Sequence, residues 1–108
     1  MNIGQIAKMA QQMQTQMAQA QQELAETTLE ATAGGGAVRL VITGAQEVRS
    51  IEIDPSAVDA AEVEMLQDLV VTAINEAINR SKDLERERMG SIAGGMGMPG
   101  MPGLPGFG

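Results

Sequence analysis

The sequence predicts an α+β fold, in which one helix precedes a three-stranded antiparallel meander and a second long helix follows it. Apolar residues recur every three or four positions over residues 3–26, a spacing typical of an amphipathic helix. Between residues 27 and 53 they alternate with polar residues in short runs separated by glycine-containing turns, which indicates strands. The helical spacing returns after Pro55, so the predicted order is α-β-β-β-α.

The first helix carries a methionine-rich apolar stripe opposite a glutamine-rich side, as in "MAQQMQTQMAQAQQEL". Alanine, methionine, glutamine and leucine are good helix formers and no proline interrupts them, so residues 3–26 are predicted to form one continuous helix. Methionine stripes occur on promiscuous binding surfaces, but a stripe at this spacing is more often ordinary packing. We therefore predict core or dimer contacts at Met9, Met13, Met17 and Leu24.

The glycine run Gly34–Gly36 predicts a tight reversal between the first two strands, because glycine adopts positive φ without strain. The residues before it, 27–32, favour a short strand. The residues after it, "AVRLVIT", form the clearest strand and place Val38, Leu40 and Ile42 on one face. A glycine run can also bind phosphate, but such a site needs a helix to begin directly after it, and here a strand follows.

The third strand, "EVRSIEI", places Ile51 and Ile53 on the same face as Arg49. Asp54 and Pro55 end this strand, since proline cannot donate a hydrogen bond to a strand ladder.

The second helix is predicted to begin at Asp59, because Glu62 follows three residues later in the pattern of a capping box. It should end near Met89, where Gly90 follows. Its apolar side consists of Val63, Leu66, Val70, Ala73, Ile74, Ala77, Ile78 and Leu84. We predict that this side packs on the sheet through the first two thirds of the helix and that the end from Arg80 onward is solvated. The core or dimer positions predicted beyond the first helix are Val38, Leu40, Ile42, Ile51, Ile53, Leu66, Val70 and Ile74.

The element lengths predict a homodimer. A helix from residue 59 to 89 spans about 46 Å, whereas a seven-residue strand spans about 23 Å, so the helices must overhang the sheet. An overhanging amphipathic helix exposes its apolar stripe unless another subunit covers it. We expect one folded and dimerising domain over residues 1–90, followed by a mobile Gly/Met/Pro-rich tail over residues 91–108.

The residue types argue against catalysis. The chain has no histidine, cysteine, tyrosine or tryptophan, so its serines lack the usual activating base and we expect no enzyme. A divalent ion at Asp54, Asp59 and Glu62 is conceivable, but the spacing matches no oxygen-ligand loop and helix capping explains these residues more simply. We expect no cofactor, no metal and no small-molecule substrate. Without a long apolar run or a signal-peptide pattern, we expect a soluble, cytoplasmic protein that does not enter membranes.

The net charge of −7 is unevenly distributed along the chain. Residues 47–76 contain eight acidic side chains and one base, Arg49. Residues 1–22 contain Lys8 and no acid, and residues 80–88 are mildly basic. Because the predicted fold has no aromatic residue on which bases could stack, duplex DNA held through its phosphates is a better candidate ligand than single-stranded nucleic acid.

The order of these signals resembles that of the bacterial YbaB/EbfC nucleoid-associated proteins over nearly the entire chain. The resemblance rests on "AQQMQTQM", "AGGGAVRLVITG", "SIEIDPS", "LQDLVVTAINEAINRSKDL" and the Gly/Met/Pro tail. It implies a tweezer-like homodimer with helical arms and a small cytoplasmic protein that binds double-stranded DNA in the nucleoid. Such a protein would contribute to chromosome organisation or gene regulation.

The resemblance also implies that the arms contact DNA. The matching positions are Gln5, Lys8 and Gln12 in the first helix and Arg80, Lys82, Arg86 and Arg88 in the last. The charge distribution indicates the same two segments. Asp83 and Glu87 are spaced to neutralise part of the Lys82 and Arg86 pair. We therefore expect weak, sequence-tolerant duplex binding. The alternative is a protein-interaction scaffold or chaperone-like adaptor, which would use the acidic middle, the methionine stripe and the tail.

Overall fold

The computed structural model describes residues 2–95 and confirms the predicted element order. Helix α1 spans Ile3–Glu26, the strands are β1 Thr28–Ala33, β2 Val38–Thr43 and β3 Val48–Ile53, and helix α2 spans Val63–Gly95. Short 3-10 turns at Pro55–Ala57 and Ala60–Glu62 connect β3 to α2. Most of the predicted tail, residues 96–108, lies outside the described residues.

Helix α1 has the predicted bounds, and a capping box fixes its start. The Gln5 backbone N–H donates to Asn2 Oδ1 at 2.8 Å, and the Asn2 N–H donates back to Gln5 Oε1 at 3.3 Å. These two bonds satisfy amides that a helix start otherwise leaves without a partner. The helix ends where Thr27 turns to extended backbone and joins β1.

The three strands form one antiparallel sheet in the order β1-β2-β3. Gly34, Gly35 and Gly36 have φ values of 64°, 67° and 97°, so the glycine run makes the predicted hairpin turn. In the first hairpin, Ala31 pairs with Leu40 and Ala33 pairs with Val38.

The pairing of β2 with β3 contains an irregularity that strict alternation does not predict. Val38 lies opposite Ile53 and Leu40 lies opposite Ile51, but a register shift then places Val48 opposite Ile42. Strict alternation would have put Arg49 there. The extra residue is typical of a β-bulge. It adds an apolar residue, Val48, to the row formed by Ile51 and Ile53.

Helix α2 covers one face of the sheet at β1 and β2. One cluster of buried residues joins Ala31, Leu40, Ile42 and Ala77. A second cluster joins Ala33, Val38 and Ala73. Alanines on β1 and α2 let the helix approach the sheet closely, so the large buried side chains come mainly from β2. The half-buried residues Leu66, Val70 and Ile74 pack around these clusters.

Both predicted ends of α2 are wrong. Asp59 does cap a turn, with Asp59 Oδ1 accepting from the Ala61 N–H at 2.9 Å, but that turn is 3-10 and α2 begins at Val63. At the other end the helix continues past Gly90 to Gly95. Ile92 and Ala93 are half-buried there, and burial of apolar side chains offsets the roughly 1 kcal/mol that glycine costs inside a helix.

Both helices extend from the same end of the sheet. α2 packs near the Gly34–Gly36 turn through Leu66 and Leu69 and reaches the opposite end at Thr43 through Ser81. Its residues 82–95 therefore run about 21 Å beyond the sheet. α1 joins β1 at Thr28, which pairs with Thr43 at that same end. The longest dimension of the chain is 70 Å, more than the roughly 50 Å of α2 alone. We call α1 and residues 82–95 the arms.

Neither helix within residues 2–95 combines the length and the apolar character needed to cross a membrane.

Gly44→Ala should lower the free energy of unfolding by about 1–3 kcal/mol, because the added methyl group would overlap Leu24. A Cβ at Gly44 would lie 2.8 Å from Leu24 Cδ2 and 3.0 Å from Leu24 O. Gly90→Ala is the matched control: a Cβ at Gly90 meets nothing within 4 Å, and the better helix former should raise stability by about 1 kcal/mol. Urea unfolding followed by circular dichroism at one protein concentration measures both. A Gly44→Ala variant as stable as the parent would contradict the close packing.

Candidate nucleic-acid interface

A buried hydrogen-bond network holds α2 against the turn between β2 and β3. Ser81 Oγ donates to Thr43 O at 2.7 Å and accepts from Gln46 Nε2 at 2.8 Å and from the Gln46 N–H at 3.1 Å. The Ser81 side chain is fully buried, so its bond to Thr43 is shielded from water, and the two bonds from Gln46 are partly buried. From the sequence alone, Ser81 is only a hydroxyl without an activating base. The signal for its structural role is its position four residues after Ala77, on the sheet-facing side of the helix.

The same turn holds the base of α1. The Gly44 N–H donates to Leu24 O at 2.9 Å and to Thr27 O at 3.0 Å. Leu24 and Ala20 are buried here. The β2–β3 turn therefore anchors both arms. We call this set of contacts the joint, made of Leu24, Thr43, Gly44, Gln46 and Ser81.

On α1, the predicted DNA-binding residues Gln5, Lys8 and Gln12 are exposed and share one side of the helix, away from the methionine stripe. Gln5 already uses its Oε1 in the capping box. Lys8 has no carboxylate within ion-pair distance among residues 2–95. This part of α1 thus presents one cation and several neutral hydrogen-bonding groups.

On α2, two of the predicted DNA-binding arginines are tied to other elements of the fold. Arg80 donates from Nη1 to Glu30 O on β1 at 2.9 Å and contacts Glu76 Oε1 at 3.4 Å. Arg88 forms an ion pair with Glu23 of α1, which connects the two arms. Both guanidinium groups therefore have structural partners within the chain.

Lys82 and Arg86 lie one turn apart on the side of α2 that faces away from the sheet. Asp83 pairs with Arg86 at 2.9 Å, as its spacing predicts, and both side chains of that pair are at least 70% exposed. Lys82 has no carboxylate partner among the described residues. In the part of the chain that the structure describes, Lys8 and Lys82 are the cations without such a partner.

Two of the three carboxylates considered as metal ligands, Asp54 and Asp59, serve as caps. Asp54 Oδ1 accepts from the Ser56 N–H and hydroxyl, each at 2.9 Å, and these bonds lower the pKa of the Asp54 carboxyl. Asp59 caps the next turn. Within residues 2–95 no group of three or more acidic residues is placed to hold a metal ion.

A row of apolar side chains on β3 is uncovered. Val48, Ile51 and Ile53 are 47%, 43% and 37% exposed, because α2 packs on β1 and β2 and stops short of β3. Since Arg80 reaches β1, the opposite flank of α2 faces the β3 side, and that flank carries the exposed Val71. The outer edge of β3 pairs with no strand in residues 2–95. We call this surface the β3 face.

The predicted packing residues thus divide into three groups by burial. Leu24, Val38, Leu40 and Ile42 are buried inside one chain, and Met13, Leu66, Val70 and Ile74 are half-buried. Met9, Met17, Ile51 and Ile53 are exposed. The exposure of the α1 stripe is greatest at the tip, where Ile3 is 85% exposed, and vanishes at the joint.

Comparison with known proteins gives consistent results. The family model described as the YbaB/EbfC DNA-binding family matches residues 1–96. A protein of Chloroflexus aurantiacus named "Nucleoid-associated protein" is 51% identical over 96 residues, which are 89% of this chain and 96% of that protein. One of the same name from Pelotomaculum thermopropionicum is 44% identical over 98 residues, covering 91% and 93% of the two chains.

The fold also recurs in a solved structure. The crystal structure of an uncharacterized protein from Helicobacter pylori aligns with 90% of this chain and 99% of its own, with a TM-score of 0.72 and 23% identity. At that identity the likeness concerns the fold.

Ser81→Ala should lower the free energy of unfolding by about 1–3 kcal/mol, because Thr43 O and the Gln46 carboxamide lose a buried hydrogen-bond partner. Ser91→Ala, at an exposed position of the same helix, should leave stability unchanged or slightly higher. Chemical denaturation of the two variants and the parent makes the comparison. Equal stability of the Ser81→Ala variant and the parent would show that the joint does not depend on this hydroxyl.

Proposed function

This chain belongs to the YbaB/EbfC DNA-binding family, and from that premise we propose that it binds double-stranded DNA through the arms of a homodimer. The observation that carries the proposal is the position of the available cations. Lys8 and Lys82 lie on the two arms, beyond the same end of the sheet, and neither has a carboxylate partner among residues 2–95. The proposed role is organisation of the bacterial chromosome or control of its genes.

Lysine and arginine bind duplex DNA through its phosphates, which requires neither aromatic residues nor a metal. Lys82 and Arg86 are spaced to contact phosphates together from one side of α2. Arg86 can exchange Asp83 for a phosphate at small cost, because an exposed ion pair contributes about 1 kcal/mol or less. Arg80 and Arg88 are less available, since β1 and α1 hold them.

Most of the acidic segment lies at a distance from the arms, and its members nearest to them, Glu47 and Glu76, are paired with Arg49 and Arg80. Asp68 and Lys82 are separated by about 21 Å along α2. Exposed charges are largely screened beyond about 8 Å at physiological ionic strength. The net charge of −7 therefore acts weakly on DNA bound at the arms.

We expect low sequence specificity. Contacts to phosphate fix the position of a protein on DNA but carry no sequence information. Gln12 is the predicted contact residue whose side chain could read a base edge, and glutamine pairs with adenine in the major groove. A single such contact discriminates modestly among sequences.

A second copy of the chain would cover the β3 face. The uncovered Val48, Ile51 and Ile53 lie beside an open strand edge, and such an edge is a template for pairing with another chain. Burial of an apolar row together with the edge favours a two-fold symmetric contact. The homodimer would carry two sets of arms, and simultaneous contact by both sets raises the overall affinity.

The lysines can be tested directly. The double substitution Lys8→Ala and Lys82→Ala should weaken duplex binding at least tenfold and flatten its salt dependence, measured by fluorescence anisotropy of labelled duplexes of ~30 base pairs. Arg39→Ala is the control, because Arg39 pairs with Glu30 and Glu52 on the exposed face of the sheet. Equal affinity of the double variant and the parent, or no binding by the parent at low salt, would refute the proposal.

The homodimer makes a separate prediction. Ile51→Glu should convert the protein to a monomer, because it places a charge in the proposed interface, whereas Ser50→Glu puts the same charge on the other face of β3. Sedimentation equilibrium at micromolar concentration distinguishes the two states. A monomeric parent, or a dimeric Ile51→Glu variant, would exclude this interface.

The exposed tip of α1 favours a second candidate function. Ile3 and Ile6 are 85% and 53% exposed, and a large uncovered apolar stripe often marks a protein contact. A protein-interaction scaffold or chaperone-like adaptor would use this stripe rather than the cations. Loss of the lysines would then leave its partners bound.

A further inference from the structure

We propose that Asp83 and Glu23 limit the DNA affinity of the arms by holding Arg86 and Arg88 in ion pairs that a DNA phosphate must displace. This inference rests on the proposed DNA-binding function and names two residues that set its strength. Neither carboxylate contacts DNA in this proposal. Each acts through the arginine that it holds.

The Asp83 pair is local and open to solvent. Arg86 Nη1 lies 2.9 Å from Asp83 Oδ1, three residues earlier on α2, and the two side chains are 74% and 70% exposed. A carboxylate and a phosphate each offer a pair of acceptor oxygens that matches the forked donors of a guanidinium group. Asp83 therefore competes with DNA for the same donor atoms.

The Glu23 pair crosses between the arms. Arg88 Nη1 pairs with Glu23 Oε1 of α1. The Arg88 side chain is less exposed than that of Arg86, because it reaches across to α1. Partial burial reduces screening by salt. A phosphate that binds Arg88 must also break a contact between α1 and α2. Arg88 is therefore harder to release from its carboxylate than Arg86.

The consequence is a staged contact with DNA. Lys8 and Lys82 have no carboxylate partner among residues 2–95 and can meet phosphates first. Arg86 then contacts a phosphate by exchanging Asp83 for it, and Arg88 contacts DNA last, after it has released Glu23. The arms therefore hold DNA less tightly than their number of basic residues indicates, which keeps the complex easily reversible.

The matched pair Asp83→Asn and Glu87→Gln tests this competition. The two residues lie one turn apart on α2 and each substitution removes one negative charge, but Glu87 has no cation partner among the described residues. Asp83→Asn should raise duplex affinity about fivefold per protomer, the strength of an exposed ion pair, whereas Glu87→Gln should raise it by no more than about twofold. The salt dependence of log K should steepen by about 0.9 for each additional phosphate that a released arginine neutralises.

The second matched pair is Glu23→Gln and Glu26→Gln. Both lie near the end of α1, and Glu26 has no ion-pair partner among residues 2–95. Glu23→Gln should increase affinity and steepen the salt dependence, and Glu26→Gln should do neither. In an Arg86→Ala background the increase produced by Asp83→Asn should shrink to that of Glu87→Gln, because the released donor is then missing.

The outcomes separate this inference from the function on which it rests. If the parent binds duplex DNA and the members of each matched pair behave alike, net charge alone sets the affinity and the inference is wrong. If only the variants lacking Asp83 or Glu23 bind measurably, the inference is supported. If the parent and all variants fail to bind at low salt, the proposed function fails together with it.

Discussion

The anchoring of both helices on one β-turn is the constraint on which the rest of the structure depends. The joint buries Ser81 of α2 against Thr43 and Gln46, and it packs Leu24 of α1 over Gly44. Both attachments lie at one end of the sheet, and the ion pair between Arg88 and Glu23 holds α1 beside the end of α2, so both helices project beyond that end. The cations on those helices are therefore gathered at one end of the molecule, while the carboxylates of residues 47–68 remain near the sheet and the start of α2.

The small core explains why the chain presents so much apolar surface. α2 lies close to β1 and β2 because the contact is lined by small residues, Ala31, Ala33, Ala73 and Ala77. A single helix does not cover β3 as well, so the apolar side chains of that strand are exposed. The same geometry leaves the tip of α1 without a neighbour among the described residues. The β3 face is left uncovered because a three-stranded sheet is packed by one helix, and the proposed second copy on that face would enlarge the small core.

Local sequence rules predicted the elements well where the determining interaction is local. The periodicity of α1 and the glycine run before Val38 fixed the helix and the first hairpin within a residue or so. The rules failed where a distant contact decides the result. The bulge that places Val48 opposite Ile42 arises in the pairing of two strands, and the part of α2 past Gly90 contains the half-buried Ile92 and Ala93. Neither has a signal in the residues immediately around it.

The same distinction applies to the charges of the arms. The pairing of Arg86 with Asp83 was predictable, because residues three apart on a helix are neighbours. Arg80 has a local partner in Glu76, but Glu30 O and Glu23, which hold Arg80 and Arg88 to other elements, lie 50 and 65 residues away. A charge count along the sequence therefore treated these arginines as available. In the folded chain both arginines form ion pairs, whereas Lys8 and Lys82 have no carboxylate partner in the described part of the chain. Which cations on the arms lack a carboxylate partner is thus a property of the tertiary structure, and a count of charges along the sequence does not give it.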